Sequence, residues 1–197
     1  MKPQFLVGAM MPGSGQTLVA LGLMRALRQR NLRVQSFKCG PELADLRYHA
    51  LAADREPVSL DTWMGSRSHL QTVYNRYGEK ADVCVVEGRA GLFDGFRKTQ
   101  GSSAEMARLM KIPVVMVVSA RNVGYSTAAM LYGFKHFNTE LKIAGVIFNQ
   151  VTSAAQYGFL RETCAEAGGM LRLSPLSGGS RPSTSSSGTD TSCKEES

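Results

Sequence analysis

A chain of 197 residues, 43% apolar and with a formal net charge of +7, has material for one domain with a real core and is too apolar to be disordered throughout. Its basic residues, Arg25, Arg28 and Arg30 among them, are spread along helical segments rather than interleaved with aromatics. The charge therefore reads as a solvated basic face or an attraction for small anions such as phosphates, not as a nucleic-acid surface. The cysteines Cys39, Cys84, Cys164 and Cys193 form no C-x-x-C pair and have no histidine at ligand spacing, and no apolar run nears the roughly 20 residues of a membrane span. This excludes a disulfide framework, a zinc site and a membrane span, and points to a reducing cytoplasm.

Residues 5–10 form a first apolar run, too short for the core of a secretion signal, and lead directly into Pro12-Gly13, so they read as a strand. The segment Met11-Pro12-Gly13-Ser14-Gly15-Gln16-Thr17 then opens a helix over 17–30, on which Val19, Leu23, Ala26 and Leu27 share a face opposite the arginines. Strand, glycine turn and helix N-terminus in that order make an anion site. The glycines let backbone N–H groups approach phosphate oxygens, and the helix dipole adds partial positive charge. Thr17 holds the position whose hydroxyl usually reaches Mg²⁺. Against the pattern G-x-x-x-x-G-K-[ST], Met10 stands where the first glycine belongs and Gln16 where the lysine belongs. An ordinary glycine-rich turn fits the loop taken alone; the strand before it and the amphipathic helix after it favour phosphate binding. The lysine normally stabilises charge on the β- and γ-phosphates, so turnover is expected to be strongly impaired unless Lys38 or an arginine compensates.

Further apolar runs at 34–37, 83–86, 114–118 and 146–148 alternate with helix-period segments at 102–110, 126–137 and 154–167. The central three are Val-rich and nearly continuous, the habit of strands buried on both faces of a parallel sheet. The fold class is α/β, a mostly parallel sheet with helices on both faces and right-handed crossovers. Open sheets of this kind bind ligands at the carboxyl ends of their strands, where three polar segments fall. The first, Lys38-Cys39-Gly40-Pro41-Glu42-Leu43-Ala44-Asp45 with His49 beyond it, sets a lysine beside the phosphate loop, and a Gly-Pro turn with solvated charges describes it equally well. The second is Glu87-Gly88-Arg89-Ala90-Gly91-Leu92-Phe93-Asp94-Gly95, an acidic strand tip able to hold a Mg²⁺-bound water, with a surface hairpin as the plainer alternative. At the third, Asn149 could read a base edge or cap the next segment. His49 alone is more often a satisfied histidine than a catalyst, and Met106 and Met110 read as core. No Ser/His/Asp or Cys/His constellation supports covalent acyl chemistry. After Arg172 the composition turns to Ser, Gly, Thr and Pro, so residues 1–172 read as one folded domain and 173–197 as a disordered tail.

With these segments in view the sequence resembles the N-terminal P-loop domain of the cobyrinate a,c-diamide synthases, which shares its fold with dethiobiotin synthetases and MinD-like ATPases. The resemblance rests on Gly13-Ser14-Gly15-Gln16-Thr17, on Ser36-Phe37-Lys38-Cys39-Gly40-Pro41 with Asp45 and His49, and on Ser59-Leu60-Asp61-Thr62-Trp63-Met64. It extends through Glu87 to Gly95, Gly101-Ser102-Ser103-Ala104-Glu105 and Gly145-Val146-Ile147-Phe148-Asn149. It implies an amidoligase of cobalamin biosynthesis that uses ATP and Mg²⁺, activates a corrin-precursor carboxylate of cobyrinate as an acyl phosphate, and receives ammonia from a glutaminase domain. By position, Thr17, Glu42 and Glu87 would hold Mg²⁺, and Gly13, Ser14, Gly15, Gln16 and Thr17 would cradle the phosphates. Lys38 would contact phosphate, Asp45 would belong to the carboxylate-activating region, and Asn149 would sit by the adenine.

Several positions depart from the family pattern: Gln16 for the loop lysine, Glu42 for the usual Asp, and Ser119 for the Asp that commonly ends its strand. The glutaminase half has no counterpart in these residues, which leaves a separate glutaminase or a homodimer as partners. A truncated or frame-disrupted gene copy would account for the Ser-rich tail. Three readings follow: a corrinoid amidoligase of impaired activity, a non-catalytic P-loop binding module, or a dethiobiotin-synthetase-like enzyme, the last disfavoured by the stretch from Glu87 to Gly95.

Overall fold

A computed structural model describes residues 2–89, 91–121, 123–166 and 172–177. Seven strands form one sheet in the order β3-β2-β4-β1-β5-β6-β7, parallel throughout. The strands are β1 (Gln4–Ala9), β2 (Val34–Cys39), β3 (Val58–Leu60), β4 (Val83–Glu87), β5 (Val114–Ser119), β6 (Ile143–Val151) and β7 (Arg172–Ser177). Between them run α1 (Gln16–Gln29), α2 (Leu43–Ala53), α3 (Arg67–Gly78), α4 (Ser103–Met110), α5 (Ser126–His136) and α6 (Ala154–Glu166).

The two-residue period of a strand sorts the core into two layers. Leu6, Cys84, Val86, Met116, Val118 and Phe148 pack with side chains of α3, α4, α5 and α6. Val7, Val83, Val85, Val117 and Ile147 pack with Val19, Ala20 and Met24 of α1 and Ala53 of α2. All five residues of β4 are buried, which is why its sequence is an uninterrupted apolar run up to Glu87.

The five strands and four helices expected from the sequence are present, with ends shifted by a few residues. On α1 the buried line is Val19, Ala20 and Met24, with Leu23 and Leu27 beside it; Ala26, expected on that face, is exposed. Three further elements are not among those expected. β3 is only three residues long. α2 buries little more than His49 and Ala53 while Leu43 and Leu51 face solvent, so it lacks an apolar stripe. α3 carries a readable signal, the Ser66 hydroxyl accepting from the His69 amide at its N-cap and Leu70 and Tyr74 buried one turn apart.

The composition shift predicts loss of structure from residue 173, but the sheet continues through β7, where Gly145 to Phe148 of β6 pair with Arg172 to Pro175. A backbone ladder at a sheet edge needs no large side chains and tolerates a proline, so a Ser-Pro segment can complete it. Residues 178–197 of the expected tail, and the expected helix end at Ala167, lie outside the described residues.

Candidate functional site

The carboxyl ends of β1, β2 and β4 open onto a cleft of about 380 Å³ lined by the turn from Met11 to Thr17 and by Lys38, Glu42, Asp45, Glu87, Gly88 and Arg89. The turn is shaped by two glycines in the left-handed region, Gly13 at φ 81° and Gly15 at φ 80°. A side chain at Gly15 would run into the Asn149 amide, so that position excludes a Cβ both by dihedral and by space. The Ser14 hydroxyl donates to Met11 O at 2.6 Å, and Asn149 Nδ2 donates to Ser14 O at 2.9 Å, tying the turn to the tip of β6. Gly15 is the N-cap of α1 and no side chain caps that helix. Its first-turn N–H groups, which have no partners within the helix, are thus left for a ligand at the positive end of the dipole.

Below the turn three side chains converge on one carboxylate. Glu87, at the end of β4 and fully buried, accepts from Thr17 Oγ1 at 2.6 Å and from Lys38 Nζ at 2.9 Å on Oε1, while His49 Nε2 lies 2.5 Å from Oε2. The parallel register sets Lys38 of β2 directly beside Glu87 of β4. Lys38 Nζ also reaches Asp45 Oδ2 at 3.1 Å and Gly88 O at 3.1 Å, so its three N–H donors meet three oxygens. Burial works to raise the Glu87 pKa, but the hydrogen bonds from His49 and Thr17 and the charge of Lys38 outweigh it and hold the carboxyl below its usual range. For Lys38 burial works downward, and Glu87 and Asp45 outweigh it to keep the ammonium charged.

Most of the residues singled out from the sequence therefore meet at one place. Gly13, Ser14, Gly15, Gln16, Thr17, Lys38, Glu42, Asp45 and Glu87 all line the cleft, and Asn149 touches it through Ser14. Asn149 Oδ1 accepts from the Gln150 amide at 2.9 Å, so in this state its side chain braces the turn. His49 is a buried histidine whose Nε2 meets Glu87 while its Nδ1 is buried without a hydrogen-bond partner among the described residues, so it is only half satisfied; that Glu87 is its partner depends on how α2 lies against β4. Ser119 ends β5 with its hydroxyl donating to Gln150 Oε1 at 2.7 Å. Met106 and Met110 are core. The stretch after Glu87 is no simple surface hairpin: Leu92 is fully buried, and the hairpin-like bonds come later, between residues 95 and 100. Sequence reasoning passed over Arg89, which projects into the cleft; a lone arginine between Gly88 and Gly91 behind an acidic strand tip was the available signal.

A central strand, a left-handed glycine turn, an uncapped helix and an acidic tip on the neighbouring strand define an α/β domain of the P-loop class. Residues 6–175 match the CobQ/CobB/MinD/ParA nucleotide binding domain, and the chain belongs to that family. It is 38% identical over 161 residues to a cobyrinate a,c-diamide synthase of Listeria monocytogenes, covering 80% of this chain and 36% of the relative. It is 43% identical over 168 residues to a hydrogenobyrinate a,c-diamide synthase of Mycobacterium bovis, covering 82% and 37%. The resemblance read from the sequence is thereby borne out, and the chain spans little more than a third of the length of these relatives. Among solved structures the hydrogenase maturation factor HypB of Archaeoglobus fulgidus superposes with a TM-score of 0.57 at 12% identity, covering 89% of this chain and 81% of that one, a likeness of fold. Among the described residues no helix is long and apolar enough to cross a membrane.

Proposed function

We propose that this domain binds Mg-ATP and serves the ATP-dependent activation of a corrinoid carboxylate, of the cobyrinate type named for its relatives, ahead of amidation. The observation that carries the reading is the Thr17 hydroxyl 2.6 Å from the Glu87 carboxylate beneath a left-handed glycine turn, all facing one cleft. The turn and the α1 N-terminus supply backbone N–H groups for phosphate oxygens. Thr17 and Glu87 are hard oxygen donors that suit Mg²⁺, and Glu42, whose Oε2 is buried without a hydrogen-bond partner, is a third candidate oxygen. Among the described residues no three His, Cys, Asp or Glu side chains gather to hold a metal. That suits an ion which keeps most of its shell from water and phosphate. Bound there, Mg²⁺ supplies charge neutralisation between two anions that must meet, the triphosphate and the substrate carboxylate. Lys38 positions and screens Glu87 and Asp45, and contact with a phosphate would require it to release one of its three present acceptors. Asp45, held by that ammonium at the rim, faces the space for the activated carboxylate. Ammonia would come from a glutaminase, in the same assembly or a separate chain.

Gln16 favours a second reading, a module that binds nucleotide without turning it over, because a neutral amide replaces the ammonium that stabilises charge in phosphoryl transfer. Calorimetric titration with Mg-ATP, with and without cobyrinate, followed by a phosphate-release assay separates the two. Cobyrinate-dependent release supports the enzyme, binding without release supports the module, and no binding at all removes both.

A further inference from the structure

We infer that Arg89 supplies this site with the positive charge that the loop lysine supplies in the standard pattern, and that its guanidinium reads the terminal phosphates of the bound nucleotide. This rests on the nucleotide reading above and adds a residue to it.

The argument is one of charge. The cleft is lined by two cations, Lys38 and Arg89, and three carboxylates, Glu42, Asp45 and Glu87. Lys38 has no N–H to spare, since Glu87, Asp45 and Gly88 O occupy all three. Gln16, buried at the loop, is neutral. Without Arg89 a triphosphate would enter a pocket whose one cation is already matched by two carboxylates, with a third at its edge. That arrangement repels the ligand.

Arg89 is built to offer what is missing. Its backbone is fixed from both sides by the buried Ser103 hydroxyl, which accepts from Arg89 N at 2.8 Å and donates to Arg89 O at 3.0 Å. Its stem lies across Gly40, where a Cβ would come within 3.2 Å of Arg89 Cδ and 3.4 Å of Nε, and Gly40 itself sits at φ 86°. Among the described residues its ion contact is Glu42 Oε1 at 3.6 Å from Nε, too long for a hydrogen bond, and Nε is buried with no hydrogen-bond partner. A planar fork of five donors, anchored at its base and left open at its head, is suited to bidentate phosphate recognition.

The test is calorimetry with Mg-ATP and Mg-ADP on the parent chain, Arg89→Ala, Arg89→Gln and the double variant Arg89→Ala/Gln16→Lys, with melting temperatures measured without ligand. Loss of one charge-assisted phosphate contact is expected to weaken Mg-ATP binding about 10- to 100-fold. Mg-ADP should weaken less, and Gln16→Lys should restore most of the loss by returning a cation to the loop. Arg89→Gln keeps the stem across Gly40 and removes the charge, so it reports if the Ala variant does not fold. If the parent binds Mg-ATP and Arg89→Gln binds it within twofold, the inference fails while the nucleotide reading stands. If the parent binds neither nucleotide, both fail. Lost binding that Gln16→Lys cannot recover would also overturn it.

Discussion

Glu87→Gln isolates the charge at the centre of the cluster. The amide is nearly isosteric and keeps one oxygen that can accept from Thr17 or Lys38, so the change removes the negative charge with little loss of packing. Breaking a fully buried pair costs about 3–5 kcal/mol. Here Lys38 retains Asp45 Oδ2 at 3.1 Å and Gly88 O at 3.1 Å, which brings the expected loss to about 2–3 kcal/mol. For a chain of this size that lowers the melting temperature by about 5–10 °C. Urea unfolding of parent and variant, extrapolated linearly, measures the loss, and the slope should not change. The pH dependence carries the sign. Because the Glu87 carboxyl is held below its ordinary value, its contribution is complete above the unfolded glutamate pKa of about 4.3 and disappears as pH falls through the lower folded value. The gap between parent and variant should hold from pH 7 to pH 5 and close in more acid solution. A gap under about 0.5 kcal/mol at pH 7 would mean that burial outweighs the three partners, and one that persists unchanged at pH 3 would mean that the loss does not come from the carboxylate charge; either result refutes the reasoning.

Gly15→Ala should cost about 2–3 kcal/mol and Gly13→Ala about 1 kcal/mol in the same assay, since both have positive φ but only at Gly15 would the new Cβ strike the Asn149 amide; equal losses would contradict this. Asn149→Ala should remove about 1 kcal/mol and speed amide exchange across the turn at Gly13 to Gln16, because Nδ2 no longer holds Ser14 O; unchanged exchange would show that the turn stands without its brace. Burial pushes the Cys39 thiol up to about 12 and Cys164 to about 11, and Cys84 is also buried and raised, so thiol reagents at pH 8 should leave all three unmodified until urea is added, as peptide mass spectrometry would read.

What the sequence determined by itself was everything that depends on a local pattern. Alternating apolar runs and helix-period segments specify a parallel α/β sheet, and Gly13 and Gly15 before an uncapped amphipathic helix specify an anion turn. Neither statement needs to know which strands are neighbours. Short or patternless elements escape such reading, because three residues of β3 give no period and α2 hides His49 behind exposed leucines. β7 escaped because a backbone ladder with β6 leaves no mark in the composition.

Only the tertiary structure decided who meets whom. Register places Lys38 beside Glu87, residues 49 positions apart, and the docking of α2 brings His49 to the second carboxylate oxygen. The same placement exhausts Lys38 and leaves Arg89 open, a division of labour between two cations that composition cannot express. Hydrogen-bond capacity is a property of each residue, but how much of it remains for a ligand is set by the neighbours the fold provides.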